Sequence, residues 1–235
     1  MHVLKRQTGS KGERVRGAQT SGFARTQALA LISSLVLACG AVEEQKSPLS
    51  PYASATLTAG VGLGDLELGR TTLGSVVQRL GVETVTPLAS EQVGLELFYE
   101  HGQLALLFLI EPSCLDKLKT GLRPAAANMN AFLARNPCVR EATLASLSVR
   151  SGKSVDESFY KGATDAGAKL WDPIEAASKH GESCAGPKAP IAGLNLDNPE
   201  NEVHFKPGIT FYHRALEGAG PGQTRIQRIT IYPKP

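Results

Sequence analysis

Histidine and cysteine are the residues of this chain whose spacing most directly suggests chemistry. His180 and Cys184 are four residues apart, a spacing found in zinc sites, and His204 and His213 are further potential ligands. The second closely spaced pair that a zinc site normally needs does not occur. His180 stands beside Gly181 and is explained more simply as a residue favoured by the dipole at the end of a helix. We therefore expect no metal site and no cofactor.

Sequence motifs for nucleophilic catalysis are missing from the chain. It contains no Gly-x-Ser-x-Gly, no His-Glu-x-x-His and no cysteine flanked as in the cysteine proteases. His213 and Glu217 could act as a base and its orienting carboxylate, but exposed polar residues beside a Gly-rich turn are the simpler interpretation. The sequence predicts that the protein is not an enzyme. The alternative is a hydrolase of the cell envelope whose site is formed by sequence-distant residues.

The first 39 residues have the pattern of an export signal. A basic start is followed by an uncharged stretch from Ala28 to Ala38, far shorter than the roughly 20 residues of a membrane-spanning helix. The stretch ends Val36-Leu37-Ala38-Cys39, which resembles the lipobox of bacterial lipoproteins. The resemblance implies cleavage before Cys39 and a lipid on its thiol, with further acylation making the anchor stable. The alternative is an ordinary secretory signal that happens to contain a cysteine.

Removal of residues 1–38 changes the charge of the protein. The chain has 25 basic and 22 acidic residues, of which residues 1–38 hold six and one, so that 19 basic and 21 acidic residues remain. An excess of Lys and Arg that would favour nucleic acid is therefore absent. We expect lipid attachment to a membrane of the cell envelope through Cys39, the outer membrane facing the periplasm being favoured. The expected partner is another envelope protein or a cell-wall component.

Three cysteines remain once Cys39 is assigned to the lipid. An exported protein resides where disulfides persist. Cys114–Cys138 is the favoured pair, because both residues flank the same predicted helical insert. A Cys138–Cys184 bridge and three reduced thiols are the alternatives.

A strand, a helix and a hairpin are predicted twice along the chain. In residues 64–81 a short strand leads to a helix that begins after Thr72 and ends at Gly81, and residues 94–110 form a hairpin. In residues 164–181 a strand at 168–171 leads to a helix with Asp172 as N-cap and Pro173 as its first residue. Residues 208–232 form the second hairpin. We interpret this as an internal repeat.

The repeat predicts an α+β fold with two related modules, each a helix packed on a small antiparallel sheet, which can share one sheet. The predicted segments are a signal peptide (1–38), a flexible lipidated tether (39–57), a first module (58–111), a helical insert (112–142) and a second module (143–235). A helix is expected over 124–135, a strand over 143–149 and a loop over 185–207. In the hairpins we expect Phe98 and Phe211 to face inward and Tyr99 and Tyr212 to face outward as a contact surface.

The predicted modules resemble those of two protein families. A short strand, a capped helix that ends in glycine and an aromatic hairpin, in residues 64–110 and 164–232, resemble BamE/SmpA-type outer-membrane assembly lipoproteins. They also resemble the tandem modules of beta-lactamase-inhibitor proteins. The resemblance implies a non-catalytic binding or scaffolding protein that presents a sheet face.

Overall fold

Eleven strands and four α-helices are found in the part of the chain described by the computed structural model, residues 47–89, 93–118, 122, 124–184, 201–215 and 223–234. The helices are α1 (Leu73–Leu80), α2 (Pro112–Leu115), α3 (Met129–Arg135) and α4 (Pro137–Arg140). The strands are β1 (Leu57–Thr58), β2 (Gly62–Leu63), β3 (Leu66–Glu67), β4 (Thr84–Ala89), β5 (Val93–Tyr99), β6 (Leu104–Leu109), β7 (Leu144–Arg150), β8 (Ser183–Cys184), β9 (Glu202–Phe205), β10 (Ile209–Ala215) and β11 (Thr224–Ile231).

Eight of these strands form one antiparallel sheet, in the order β4-β5-β6-β7-β11-β10-β9-β8. The strands β1, β2 and β3 form a second, small sheet. One hydrophobic core contains side chains from both sheets and from the helices, including Leu63, Val76, Leu97, Phe132 and Phe211. The mixed helix-and-sheet class predicted from the sequence is therefore correct.

The first predicted helix and hairpin are confirmed. α1 begins after Thr72, whose hydroxyl accepts a hydrogen bond from the Ser75 amide, and ends at Gly81, which has a φ of 72°. β5 and β6 pair across a turn in which His101 and Gly102 both have positive φ. β4 is not predicted from the sequence; it carries Pro87 and lies at the edge of the sheet, where a missing amide donor is tolerated.

The second predicted helix is only partly correct. Residues Ile174–His180 form a 3₁₀ helix that ends at Gly181, as expected, but Asp172 does not cap it. The Asp172 carboxylate instead accepts a hydrogen bond from the Lys169 amide, so it closes the preceding turn. The strand predicted over 168–171 is also wrong, because Trp171 turns the chain with a φ of 70°.

The insert between the two hairpins is helical, as predicted, although it is divided into short pieces. A 3₁₀ turn, Ala126–Asn128, leads into α3, which ends before Asn136-Pro137, and a disulfide between Cys114 and Cys138 joins α2 to α4. The strand expected over 143–149 is confirmed as β7. The loop expected over 185–207 is wrong for Glu202–Phe205, which form β9 because Val203 and Phe205 pack on the core; residues 185–200 lie outside the described residues.

The predicted flexible tether is wrong for its last nine residues. Leu49, Tyr52 and Leu57 are buried, a 3₁₀ helix spans Ser50–Ala53, and the Leu57 amide donates to the Ala163 carbonyl. The apolar side chains in this Ser- and Pro-rich segment fix it to the domain. The predicted signal peptide, the lipobox with Cys39 and the beginning of the tether lie outside the described residues.

Candidate functional site on the polar face of the large sheet

The large sheet has an apolar face and a polar face, because side chains alternate along each strand. Leu95, Leu97, Leu147, Val149 and Phe211 point into the core. The neighbouring positions, which point the opposite way, are mainly polar. We call this side the polar face, and its residues are Glu96, Phe98, Ala105, Leu107, Ser146, Ser148, Arg150, Cys184, Glu202, His204, Thr210, Tyr212, Arg228, Thr230 and Tyr232.

Two arginines lie side by side at the centre of the polar face. Arg150 on β7 and Arg228 on β11 are direct cross-strand partners, where the two halves of the sheet meet. The Arg228 guanidinium donates to Glu202 Oε1 at 2.6 Å and lies 5.1 Å from the centre of the Tyr212 ring. The Glu202 side chain has no exposed surface and that of Arg228 is 10% exposed, so this ion pair is largely shielded from water.

Arg150 has different surroundings. Its guanidinium crosses β6, where Ala105 offers only a methyl group, and lies 5.9 Å from the centre of the Phe98 ring. Its Nε atom is buried and donates no hydrogen bond. Burial lowers the pKa of Arg150, and the adjacent Arg228 lowers it further, whereas Glu96 acts in the opposite direction.

Glu96 and Glu202 stand at the two ends of this row. Burial raises the pKa of the Glu96 carboxyl, and the charges of Arg150 and Arg228 only partly compensate. Glu202 Oε2 is buried without a hydrogen-bond partner. We refer to the six residues as the arginine strip, which in spatial order consists of Glu202, Tyr212, Arg228, Arg150, Phe98 and Glu96.

The hydroxyl groups beside the arginine strip have partners of their own. Ser148 and Thr230 share a hydrogen bond of 2.7 Å across β7 and β11. The Thr210 hydroxyl lies 2.7 Å from His204 Nδ1 and 3.5 Å from the Tyr232 hydroxyl. Among the described residues of this face, the buried polar atoms that lack a hydrogen-bond partner are therefore Arg150 Nε and Glu202 Oε2.

The structure separates the two tyrosines predicted to form a contact surface. Tyr99 is 2% exposed and its hydroxyl donates to the Gly81 carbonyl, so the prediction that it faces outward is wrong. The prediction fails because Leu95, Leu97 and Tyr99 share one face of β5, which places the half-buried Phe98 on the other. Tyr212 lies on the polar face as expected, and Phe211 is buried in the core.

The predicted zinc candidates are distributed over both faces of the sheet. His180 packs against Phe205 and Phe211 on the core side, whereas Cys184 pairs with His204 on the polar face. The His204 nitrogens face Thr210 and Glu202, at 2.7 and 3.9 Å, so neither is directed to the thiol. No group of three metal-ligating side chains occurs within the described ranges.

A hydroxyl, an imidazole and a carboxylate do meet near His180. Its Nε2 lies 2.8 Å from the Thr164 hydroxyl and its Nδ1 lies 3.7 Å from Asp165 Oδ1. Thr164 is 3% exposed, and its hydroxyl also accepts a hydrogen bond from the Ala168 amide. Because this hydroxyl is enclosed and holds a turn, it is not presented to a substrate. Burial lowers the pKa of His180, so the ring is favoured in its neutral form.

The cysteines adopt the arrangement that the sequence analysis favours, since Cys114 is bonded to Cys138 and Cys184 is free. A cavity of about 340 Å³ lies beside the disulfide and is lined in part by Glu111, Lys117 and Glu141. None of its lining residues belongs to the arginine strip, and no group of three metal-ligating side chains occurs there among the described residues.

Glu96, Arg150, Glu202 and Arg228 are not among the site residues predicted from the sequence. Each has at least one apolar neighbour in its strand, as in Leu95-Glu96-Leu97 and in Arg228-Ile229. A charged residue in such a run signals a second face that is not ordinary core. The cross-strand register that brings the four together is not contained in either segment alone.

Comparisons with known proteins identify no relative of the chain: no family model, no curated protein and no solved structure matches it. In the described residues, none of the helices is both long enough and apolar enough to cross a membrane.

Proposed function

We propose that the protein is a lipid-anchored, non-catalytic binding protein of the bacterial cell envelope, and that it engages its partner through the polar face of the large sheet. The observation that carries the proposal is the arginine strip. Interfaces are enriched in arginine and aromatic side chains at their centres, and Arg150, Arg228, Phe98 and Tyr212 form such a group. The resemblance of residues 36–39 to a lipobox supplies the proposed anchor.

The sheet order supports the further proposal that two related modules share this face. Strands β4–β7 and β8–β11 each follow one another in chain order, and the two sets meet at the antiparallel pair β7–β11. The first set contributes Glu96, Phe98 and Arg150 to the arginine strip. The second contributes Glu202, Tyr212 and Arg228, so each provides a carboxylate, an aromatic ring and an arginine. Counted from the outer edge of each set, Glu96 and Glu202 lie on the second strand and Arg150 and Arg228 on the fourth, as a duplicated module would place them, whereas the two aromatic rings lie on non-equivalent strands. This strand pairing differs from the repeat predicted from the sequence, which matches β5 and β6 with β10 and β11.

The anchor is tested by growing cells that express the protein with radiolabelled palmitate. We expect label in the wild-type protein and none in the Cys39→Ser variant, because the thiol is the acceptor of the diacylglycerol. Cys184→Ser is the matched control, since it also removes a thiol and should retain the label. A mature wild-type protein without acyl chains would refute the anchor.

The binding face is tested with a photo-crosslinking amino acid introduced at Thr86 in the native host, at native expression. Thr86 is exposed on β4 and is the cross-strand partner of Glu96, so it borders the arginine strip without belonging to it. Gln78, exposed on α1, is the matched control because α1 packs on the apolar side of the sheet. We expect a discrete crosslinked product from position 86 and none from position 78.

Two results would contradict the proposed binding face. One is crosslinking from position 78 but not from position 86, which would locate the partner on the helical side. The other is the absence of any product from position 86 when the labelled protein is correctly processed and folded.

A further inference from the structure

The adjacent arginines of the polar face differ in their contacts with the carboxylates of the arginine strip. Arg150 and Arg228 are opposite each other on neighbouring strands, and like charges in this position repel. Arg228 has an ion pair with Glu202. Among the described residues, no carboxylate lies within salt-bridge distance of Arg150. Glu96 interacts with it only at longer range. A carboxylate is therefore in direct contact with Arg228, whereas Glu96 compensates the charge of Arg150 only through space.

The hydrogen-bonding groups of Arg150 show the same imbalance. A guanidinium has five N–H donors in a planar fork that matches a carboxylate. The Nε–H of Arg150 is buried and has no acceptor. A buried donor without an acceptor costs free energy, which an incoming acceptor can recover. The Phe98 ring holds the guanidinium in place, so less side-chain freedom is lost on binding.

We infer that Arg150 is a carboxylate-binding site, and that its ligand is an Asp or Glu side chain of a partner protein. This inference rests on the proposed function, since it names the chemistry of the partner at the proposed binding face. The carboxylate accepts hydrogen bonds from the Arg150 guanidinium and neutralises its charge beside Arg228.

The surroundings of Arg150 favour an acidic side chain over an inorganic anion. Glu96 and Glu202 lie at the ends of the arginine strip and offset the charges of the two arginines, so charge alone does not select between a carboxylate and a phosphate. The rings of Phe98 and Tyr212 flank the site and offer apolar contacts to the residues next to an acidic side chain, which an isolated inorganic ion lacks.

The site is tested first with acetate as the probe. In protein labelled with ¹⁵N, the arginine Nε–H signals are followed while sodium acetate replaces sodium chloride at constant ionic strength. We expect the Arg150 signal to move saturably with acetate and less with phosphate, and the accompanying shifts on β5 to vanish in Arg150→Gln. Arg70→Gln is the matched control, because the Arg70 side chain is 82% exposed. Equal shifts in acetate and chloride, or a stronger response to phosphate, would overturn the inference.

The partner chemistry is tested with a peptide array in which every acidic peptide has a twin with Gln for Glu and Asn for Asp. Wild-type protein should bind the acidic members at least about tenfold more strongly, as expected for a charge-assisted hydrogen bond. Arg150→Gln should abolish this preference and Arg70→Gln should keep it. An unchanged preference in Arg150→Gln would overturn the inference. It would also be overturned if sedimentation experiments showed that the protein binds the peptides only when it self-associates.

The two proposals fail in different ways. A crosslinked product from position 86 that is unaffected by Arg150→Gln would reject the carboxylate site and leave the binding face standing. If the protein that retains Arg150 gives no crosslinked product from position 86, the binding face itself is rejected, whatever the response to acetate.

Discussion

The two faces of the large sheet both contain buried side chains but are built from different chemistry. On one face, residues such as Leu97, Val149 and Phe211 have no exposed surface and pack on helices and on the small sheet. On the other, Glu202 and Arg228 are at least nine-tenths buried although both are ionisable. Buried ion pairs are poor sources of stability compared with apolar side chains of the same size. The comparison indicates that the first face stabilises the fold and that the second is retained for another reason.

The largest effect should follow from truncating the apolar face. Phe211→Ala removes a fully buried ring that contacts Phe205 and His180, so we expect the free energy of unfolding to fall by about 3–5 kcal/mol. Chemical denaturation monitored by circular dichroism measures the change. Tyr212→Ala, which removes a half-buried ring of the polar face, is the matched control and should cost clearly less. Equal losses would mean that both faces contribute alike.

A somewhat smaller effect is expected from breaking the ion pair of the polar face. Glu202→Leu removes the carboxylate that lies 2.6 Å from the Arg228 guanidinium, which should cost about 3 kcal/mol of unfolding free energy. In Glu202→Leu/Arg228→Met both charges are absent, and most of this loss should be recovered. The same denaturation experiment compares the variants. A double variant as unstable as the single one would show that the ion pair itself stabilises the fold.

The smallest effect concerns pH and again separates the faces. Burial lowers the pKa of His180 on the core side, and Asp165 opposes this only in part. The unfolded chain therefore binds a proton first, so stability is complete above about pH 6.5 and decreases as the pH falls below it. His204 and His213 have the same direction of pKa shift and add to the decrease.

This dependence is measured as the unfolding free energy of wild-type protein and His180→Asn between pH 7.5 and 5. As the pH falls, the unfolding free energy of wild type should decrease more steeply than that of the variant, and the two slopes should differ by at most about 1.4 kcal/mol per pH unit. An unchanged slope in His180→Asn would show that His180 is not the source of the acid sensitivity and would leave His204 and His213 as the candidates.

Local patterns in the sequence predicted local structure well. Thr72 and Gly81 define both ends of α1, and the turn at His101-Gly102 was correctly placed between β5 and β6. The same kind of signal failed at Asp172, because its side chain has competing backbone donors on both sides and bonded the preceding turn. The Ser- and Pro-rich composition of residues 49–57 wrongly predicted a flexible tether, because three apolar side chains are sufficient to bind the segment to the core.

The candidate site was not predictable in the same way. Its residues come from five strands, and Arg150 meets Arg228 only because β7 pairs with β11, 78 positions further along the chain. No local pattern specifies that register. The alternation along β5 does contain part of the answer. If Leu95 and Leu97 are assigned to the core, Phe98 and Glu96 must lie on the opposite face.

The ordered segment that begins at Leu49 limits how far the domain can stand from its proposed anchor. Only residues 40–48 separate Cys39 from Leu49, and ten fully extended peptide units span at most about 35 Å. A lipid on Cys39 would thus restrict the domain to a thin layer next to the bilayer. Within that layer, other proteins attached to the same membrane would be at a raised effective concentration, which increases the occupancy of a weak single-carboxylate contact.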